Sequence, residues 1–317
     1  MALANNPSTL GPNPSDALRS ANSRPAERSD AGDAVMSIDV EDWFHVENMR
    51  RVAPRDTWDR HELRIERSMD RLLEIMGNCN VRATCFILGW VAERAPGLVR
   101  RIAAAGHEIA SHGYGHESVR ELSEGAFRAD VERSKYILED LTGHRVRGYR
   151  APGYSLTDWA LPVLGELGFE YDSSFFPTTV TGDRYARPVS LLESGGRIVR
   201  LGGVTEVPMS CLTVSRHALP WAGGGYFRIL PYPVFKWGVR RIINSGEPYI
   251  FYIHPWEFDP GQPRPRGLTP IQRMRHYVNL NRTEDRWAAL LTDFRWTTIA
   301  DLLQAESQVL LRELEHS

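Results

Sequence analysis

Cysteine is scarce in this 317-residue chain, which contains only Cys79, Cys85 and Cys211. The count is odd, and no two cysteines have the CxxC spacing. Both observations argue against a disulfide-stapled scaffold and against a cysteine-rich zinc site. We therefore expect three neutral thiols in a reducing compartment.

Long apolar runs and an excess of one charge are also missing. No segment approaches the roughly 18 apolar residues of a membrane span, and the amino terminus lacks the basic start and apolar run of a secretory signal. The net charge is −2, which gives no bulk attraction for nucleic acid. The sequence thus predicts a cytoplasmic protein with no membrane span and no nucleic-acid partner.

The composition is otherwise that of a globular protein, with 42% hydrophobic and 25% charged residues. Residues 1–32 contain four prolines and no aromatic residue, so we expect a disordered tail there. From residue 33 to residue 317 the pattern predicts a single domain. Ten histidines are present, and the question is which of them form a site.

Apolar runs of strand length alternate with segments of helical periodicity along most of the chain. This alternation predicts an α/β fold with mostly parallel strands, and the number of units favours a distorted (β/α)7–8 barrel. Active sites of such barrels lie at the carboxyl ends of the strands. The predicted strands are 34–38, 82–88, 107–111, 146–150, 169–174, 204–210, 248–255 and 294–299, and the predicted helices among them are 63–77, 97–106, 124–143, 157–168 and 233–246.

Polar clusters directly follow several of these strands. His112 and His116 are four residues apart, which on a helical turn would bring both imidazoles to one metal ion. A carboxylate from the acidic cluster after the first strand would complete a common ligand set for a catalytic divalent metal. The other clusters are Asp39-Val-Glu41-Asp42, Arg150-Ala-Pro152-Gly153-Tyr154, Asp172 and His254-Pro-Trp256-Glu257.

The residue types suggest roles for the remaining side chains. Asp39 is a candidate general base, although an acidic cluster can equally form a helix cap or a loop ion pair. His254 ends an apolar strand and is either a core histidine or a general acid for a leaving amine. Asp172 is a candidate for keeping that imidazole protonated, and Arg150 for orienting the base carboxylate.

Five motifs, in order, resemble those of the NodB-homology polysaccharide deacetylases of carbohydrate esterase family 4. They are SIDVEDW at 37–43, SHGYGH at 111–116, YRAPGY at 149–154, YDSS at 171–174 and YIHP at 252–255. The ordered match runs from about residue 34 to residue 260, and 261–317 would be a family-specific extension. The resemblance implies a metal-dependent deacetylase, usually with zinc, on a distorted barrel.

The same resemblance implies roles for individual residues. Asp39 would be the base, His112 and His116 metal ligands, and His254 the acid. Arg150 would orient Asp39, and Asp172 would tune His254. A backbone N–H near Gly153 or Tyr154 would help to hold the oxyanion.

The first motif departs from the family pattern of two adjacent aspartates. Here Asp39 is followed by Val40, Glu41 and Asp42, so either Glu41 or Asp42 would be the third metal ligand. We favour Asp42, because its shorter side chain matches the ligand type of the family.

Three stretches resemble a branch associated with exosortase (PEP-CTERM) exopolysaccharide loci: SIDVEDWFHVE at 37–47, RGLTPIQRMRHYVNL at 266–280 and FRWTTIADLL at 294–303. This resemblance implies an exopolysaccharide or its lipid-linked precursor as the N-acetylated substrate. Trp43, Tyr154, Trp221 and Trp256 are candidates for stacking on sugar rings, with core packing as the alternative.

Two other functions fit the same fold. One is an allantoinase-like amidohydrolase of a small non-sugar amide, and the other is a non-catalytic glycan-binding module. A glycosidase fits less well, because it leaves the histidine pair unexplained.

Overall fold

The computed structural model describes residues 34–180, 185 and 188–315. The tail predicted to be disordered, residues 1–32, lies outside the described residues. No helix in the described ranges combines the length and the apolar character needed to cross a bilayer.

A curved, mostly parallel sheet forms the centre of the fold. Its strands run in the order β10-β1-β2-β3-β4-β5-β7-β6, with β11 beside the start of β1, and only β6 pairs antiparallel to its neighbour. A separate hairpin is formed by β8 and β9. The strands are β1 (Ala34–Val40), β2 (Thr84–Ile87), β3 (Glu108–Ser111), β4 (Gly148–Tyr149), β5 (Tyr171–Asp172), β6 (Val199–Leu201), β7 (Val204–Glu206), β8 (Cys211–Val214), β9 (His217–Pro220), β10 (Tyr249–Ile253) and β11 (Trp296–Thr297).

Helices connect most of the parallel strands and pack against the sheet, since parallel strands need crossover connections. This arrangement confirms the predicted α/β fold of the distorted-barrel type. The helices are α1 (Ile65–Asn78), α2 (Gly89–Arg94), α3 (Pro96–Ala104), α4 (Glu124–Thr142), α5 (Ala160–Glu166), α6 (Val189–Leu192), α7 (Gly224–Ile229), α8 (Tyr232–Asn244), α9 (Pro270–Tyr277), α10 (Thr283–Asp293) and α11 (Ile299–Glu315).

The best-defined predicted helix illustrates how the sequence specifies these elements. The sequence predicts 124–143, and α4 spans Glu124–Thr142. The Ser123 hydroxyl accepts the N–H of Ala126 at the start, and Gly143 ends the helix with φ of 69°. Glycine adopts that left-handed conformation without steric cost, which is why the helix stops there.

Alternation along β1 determines which side chains reach the inside of the barrel. Ala34, Met36, Ile38 and Val40 pack outward in the main hydrophobic core, whereas Val35 packs in a second, inner core. Successive side chains of a strand point to opposite faces, so Asp39 lies on the inner face with Val35. The same parity on β10, where Tyr249, Phe251 and Ile253 pack outward, directs the next inward position, His254, to the same end of the barrel.

Candidate active site

Three side chains from two strand ends form a compact group of potential metal ligands. Ligand atoms of Glu41, His112 and His116 all lie within 4.8 Å of one another. His116 Nε2 is 2.8 Å from Glu41 Oε2, but this buried oxygen has no hydrogen bond of proper geometry with the described residues. His112 Nδ1 lies 2.8 Å from the Arg150 carbonyl, to which it can donate, so its Nε2 remains available. Two imidazoles and a carboxylate with an orphaned oxygen fit a divalent cation.

The two histidines reach this group from a loop, which corrects the helical turn expected from their spacing. His112 directly follows β3, and His116 has a left-handed φ of 51°. The carboxylate of Asp130, on α4, accepts the N–H groups of Tyr114 and Gly115 at 2.7 and 3.0 Å. These bonds fold the intervening residues back, and the turn rather than a helix brings both rings together.

Asp42 does not join this group, contrary to our preference for it as the third ligand. One of its oxygens accepts the N–H groups of Arg64 and Ile65, at 2.6 and 2.8 Å, and the other accepts the N–H of Trp43. Asp42 therefore caps the amino end of α1, which is the structural alternative for this acidic cluster. Glu41 is the carboxylate beside the histidines, because the chain turns outward after it.

Asp39 forms a fully buried ion pair with Arg150. The guanidinium Nη1 donates to Asp39 Oδ1 at 2.7 Å and to the Ser37 hydroxyl at 2.9 Å, while Nε donates to the Ser173 carbonyl. Burial raises the pKa of Asp39, but the charges of Arg150, His112 and His254 outweigh burial and hold this pKa below its ordinary value. Asp39 is thus ionised and held in one orientation, as predicted for Arg150.

His254 lies close to the carboxylates of both Asp39 and Glu41. Its Nε2 lies 3.3 Å from Glu41 Oε1 and 3.9 Å from Asp39 Oδ2, and its Nδ1 donates to Glu257 Oε1 at 2.8 Å. Burial lowers the pKa of His254, but the Glu257 hydrogen bond and the charges of Glu41, Glu257 and Asp39 raise it to about 9. Glu257 is in turn bonded by Arg228 Nε at 2.5 Å.

The carboxylate that bonds His254 is therefore that of Glu257. The prediction that Asp172 would hold this imidazole is wrong, because Asp172 lies elsewhere. Tyr171 packs in the inner core, so the next side chain, Asp172, points to the other face of the sheet. There both oxygens of Asp172 accept from Ser174, and the register of β5 and β7 sets it opposite Glu206. The sequence patterns predict no role for Arg228 or Glu206, because neither lies in a polar cluster directly after a predicted strand.

Asp172 and Glu206 form a buried carboxyl pair. Burial raises the pKa of both groups, and the charge of Asp172 raises that of Glu206 further. Glu206 Oε1 accepts the N–H groups of Ser174 and Phe175, whereas within the described part of the chain its Oε2 has no partner other than Asp172. Two adjacent carboxyls cannot both ionise without cost, so the folded pair holds one proton to higher pH than the separate carboxyls would.

We expect Glu206→Gln to flatten the pH dependence of stability. The unfolded chain releases both protons near the ordinary values of 3.8 and 4.5, whereas the folded pair retains one at higher pH. The free energy of unfolding therefore falls as the pH rises above that range, by up to about 1.4 kcal/mol per pH unit. A glutamine amide donates to Asp172 without a titrating proton, so this slope should be lost. Urea unfolding between about pH 5 and pH 8 measures it, with the exposed Glu132→Gln as the control. An unchanged slope in Glu206→Gln would show that the pair is not protonated.

The candidate substrate-binding residues are mostly buried. The Tyr154 N–H donates to the Ala151 carbonyl at 3.0 Å, so it is already used, while Gly153 is exposed with φ of 60°. Trp43 is 3% exposed and packs edge-on against Phe44. Trp256 is 7% exposed and stacks between the rings of His254 and His276. The two tryptophans are packing residues here, as is Trp221, which stacks on Phe235.

Two family models match consecutive parts of the chain. The model described as "Polysaccharide deacetylase" matches residues 56–171, which include His112, His116 and Arg150. The model described as "Domain of unknown function (DUF3473)" matches residues 173–304, which include His254, Glu257 and Arg228. The candidate site therefore draws residues from both matches and from β1, which precedes them.

Known proteins are similar over part of this chain. A peptidoglycan-N-acetylglucosamine deacetylase of Bacillus cereus is 35% identical over 99 residues, which are 31% of this chain and 36% of that protein. A chitooligosaccharide deacetylase of Sinorhizobium fredii is 37% identical over 104 residues, or 31% of this chain and 46% of that protein. The chain spans less than half the length of each relative.

The fold as a whole also has a solved counterpart. A crystal structure from Mycobacterium smegmatis, described as a "putative polysaccharide deacetylase", superposes with a TM-score of 0.57 at 21% identity. The superposition covers 92% of this chain and 95% of that one, which shows a shared fold. Residues 56–171 thus match the polysaccharide deacetylase family, and the chain as a whole shares the fold of the solved structure.

Proposed function

We propose that the protein is a metal-dependent N-deacetylase that hydrolyses N-acetyl groups of a glycan and releases acetate. One observation carries the proposal: His254 Nε2 lies within 4 Å of both Asp39 and Glu41, and Glu41 lies beside His112 and His116. An acid, a base and a ligand group thus surround one small volume. In amide hydrolysis, the base and the metal activate the attacking water on one side of the carbonyl carbon. The acid protonates the leaving nitrogen on the other side.

Glu41, His112 and His116 would hold the metal, and two imidazoles with one carboxylate suit Zn²⁺ with open positions. A bound divalent ion supplies polarisation of the acetyl carbonyl and acidification of a water molecule. The residues do the rest of the chemistry. Asp39 accepts a proton from the attacking water, and Arg150 keeps its carboxylate ionised and oriented.

His254 acts at the other side of the scissile bond. Its Nδ1 is bonded to Glu257, so Nε2 is the nitrogen that faces the reacting amide. As the C–N bond breaks, Nε2–H donates its proton to the departing nitrogen. The immediate products are acetic acid and a free amine, and the proton taken by Asp39 balances the one given by His254. The acid then gives its proton to the amine or to solvent and leaves as acetate.

We expect Glu257→Gln to lower kcat for N-deacetylation by about 10- to 100-fold, with little change in KM. The glutamine keeps the size of the side chain but lacks the negative charge. It therefore no longer stabilises the protonated form of His254, which is the form that acts as the acid. An aryl acetate ester, whose leaving group needs no protonation, should be hydrolysed at close to the wild-type rate. Equal losses on both substrates would contradict this role for Glu257, and thermal unfolding would then identify a structural defect.

The function itself is tested by acetate release from N-acetylglucosamine oligomers. We expect release by the wild-type protein, its loss with a chelator and its recovery when zinc is restored. Hydrolysis of allantoin-like compounds in place of the oligomers would favour the small-amide hydrolase. Oligomer binding without acetate release from any substrate would favour the glycan-binding module.

For the natural substrate we propose an N-acetylated exopolysaccharide or its precursor. The support is the resemblance of the carboxyl-terminal stretch, within the 173–304 match, to the exopolysaccharide-associated branch. The relatives are named for peptidoglycan and chitooligosaccharides. A panel containing these two glycans and an acetylated exopolysaccharide ranks the three by kcat/KM, and a preference for peptidoglycan or chitooligosaccharides would contradict the proposal.

A further inference from the structure

Residues 261–282, which we call the arginine-rich segment, carry an unusual local charge. The segment contains five arginines and neither aspartate nor glutamate, although the whole chain has a net charge of −2. It begins seven residues after the candidate acid His254, includes α9 and ends where α10 begins. Its arginines are Arg264, Arg266, Arg273, Arg275 and Arg282.

These five arginines all face solvent. All five are exposed, and within the described residues none forms an ion pair with a carboxylate. Elsewhere, exposed arginines such as Arg71 and Arg101 each bond two acidic side chains. Exposed Arg51 joins the segment by donating to the Gly267 carbonyl. Unneutralised positive charge of this density produces a local field that attracts an anionic surface.

Exposed apolar side chains lie among these charges. Ile271 is 61% and Met274 is 49% exposed, and their spacing of three residues puts them on one face of α9. Only His276 and Tyr277 of this helix are buried, and a capping box between Thr269 and Gln272 fixes its start. The result is a short, capped helix with its apolar face outward and arginines beside it.

We propose that the arginine-rich segment docks the protein on the surface of a membrane rich in anionic lipids. Arginines would contact the headgroups, while Ile271 and Met274 would enter the boundary between headgroups and acyl chains. A nucleic acid would match the charge alone, because its phosphate backbone offers no apolar layer for these two side chains. The pairing of exposed apolar side chains with unpaired arginines is what favours the bilayer.

The segment is also tied to the candidate active site. Arg228 donates to the backbone carbonyls of Arg275, His276 and Val278 at the end of α9, and it bonds Glu257, the partner of His254. Docking would therefore hold the site close to the bilayer, where a lipid-linked glycan is presented. This consequence rests on the proposed function, whereas docking itself does not.

The experiment is sedimentation of the full chain with vesicles, without any glycan. We expect binding to vesicles of equal parts phosphatidylcholine and phosphatidylglycerol, little binding to phosphatidylcholine alone, and release at about 1 M salt, where the Debye length is about 3 Å. Arg266→Glu with Arg273→Glu should lower the partition coefficient by more than about tenfold. Ile271→Ser with Met274→Ser should also lower it severalfold.

Matched controls keep the charge change and the loss of apolar surface but move them elsewhere. Exposed Arg67→Glu with Arg100→Glu, on α1 and α3, and exposed Tyr136→Ser, on α4, should bind vesicles like the wild type. All variants should release acetate from soluble oligomers at the wild-type rate, so a failure of the proposed function would be visible separately. The proposal is overturned if the wild type ignores anionic vesicles, or if only the charge variants lose binding, which would indicate a soluble polyanion such as nucleic acid.

Discussion

Replacing Asp39 with asparagine should lower kcat for acetate release by about 10²- to 10⁴-fold while zinc binding survives. The asparagine still accepts the hydrogen bond of Arg150 but cannot take a proton from water at neutral pH. Asp39 is also not one of the three side chains in the ligand group, so the metal site should persist. Acetate release and zinc content, measured on the same sample, give both quantities.

Folding is the competing explanation for such a loss, because Arg150 is fully buried and would lose its counter-ion. Removing one partner of a buried pair typically costs about 3–5 kcal/mol. His254→Ala provides the second variant, since it leaves the Asp39–Arg150 pair intact and should also abolish N-deacetylation with zinc retained. Activity close to that of the wild type in a folded form of either variant would contradict the assigned roles.

Replacing Glu41 with glutamine should weaken zinc binding by more than about a hundredfold, and activity should fall with it. Even residues that only orient metal ligands typically cost 10- to 100-fold in affinity, so loss of a ligand should cost more. Glu41 Oε2 is the buried oxygen that lies 2.8 Å from His116 Nε2 without a proper hydrogen bond. Titration of the metal-free protein with zinc measures the affinity directly.

Asp42→Asn is the matched control, since it changes the adjacent carboxylate in the same way. Asp42 accepts the N–H groups at the start of α1, so its replacement should cost about 1 kcal/mol of stability. Its zinc affinity should remain within a few-fold of the wild-type value. The reverse pattern, with zinc lost in Asp42→Asn and kept in Glu41→Gln, would restore Asp42 as the ligand.

Strand positions were predictable because alternating apolar runs and helical periodicity reflect burial, which is a local property of sequence. The α4 boundaries follow from Ser123 and Gly143, and the position of Asp39 at a strand end follows from the run before it. Asp39, His112, Arg150 and His254 all follow predicted strands in the sequence. The parallel sheet brings those strand ends to one edge, where Asp39 Oδ1 lies 2.7 Å from Arg150 Nη1 and Asp39 Oδ2 lies 3.9 Å from His254 Nε2.

Partner choice among these side chains depended on the tertiary structure. Asp172 and Glu257 each lie close to a strand end in sequence, but Tyr171 takes the inward position on β5, so Asp172 faces away from His254. Glu41 and Asp42 are adjacent, and only the approach of α1 shows that Asp42 bonds Arg64 and Ile65. Neither the face of a two-residue strand nor the packing of a distant helix leaves a local sequence pattern.

The sequence by itself determined the fold class, the edge of the sheet that carries the site and the residue types available there. The tertiary structure decided that Glu41 rather than Asp42 joins the histidines, that Glu257 rather than Asp172 holds His254, and that Arg228 links this pair to α9. The physical reason is the separation along the chain over which each interaction acts. Burial and periodicity act between neighbours in the chain, whereas hydrogen bonds such as that from Arg228 to Glu257 join residues that only the folded sheet brings together.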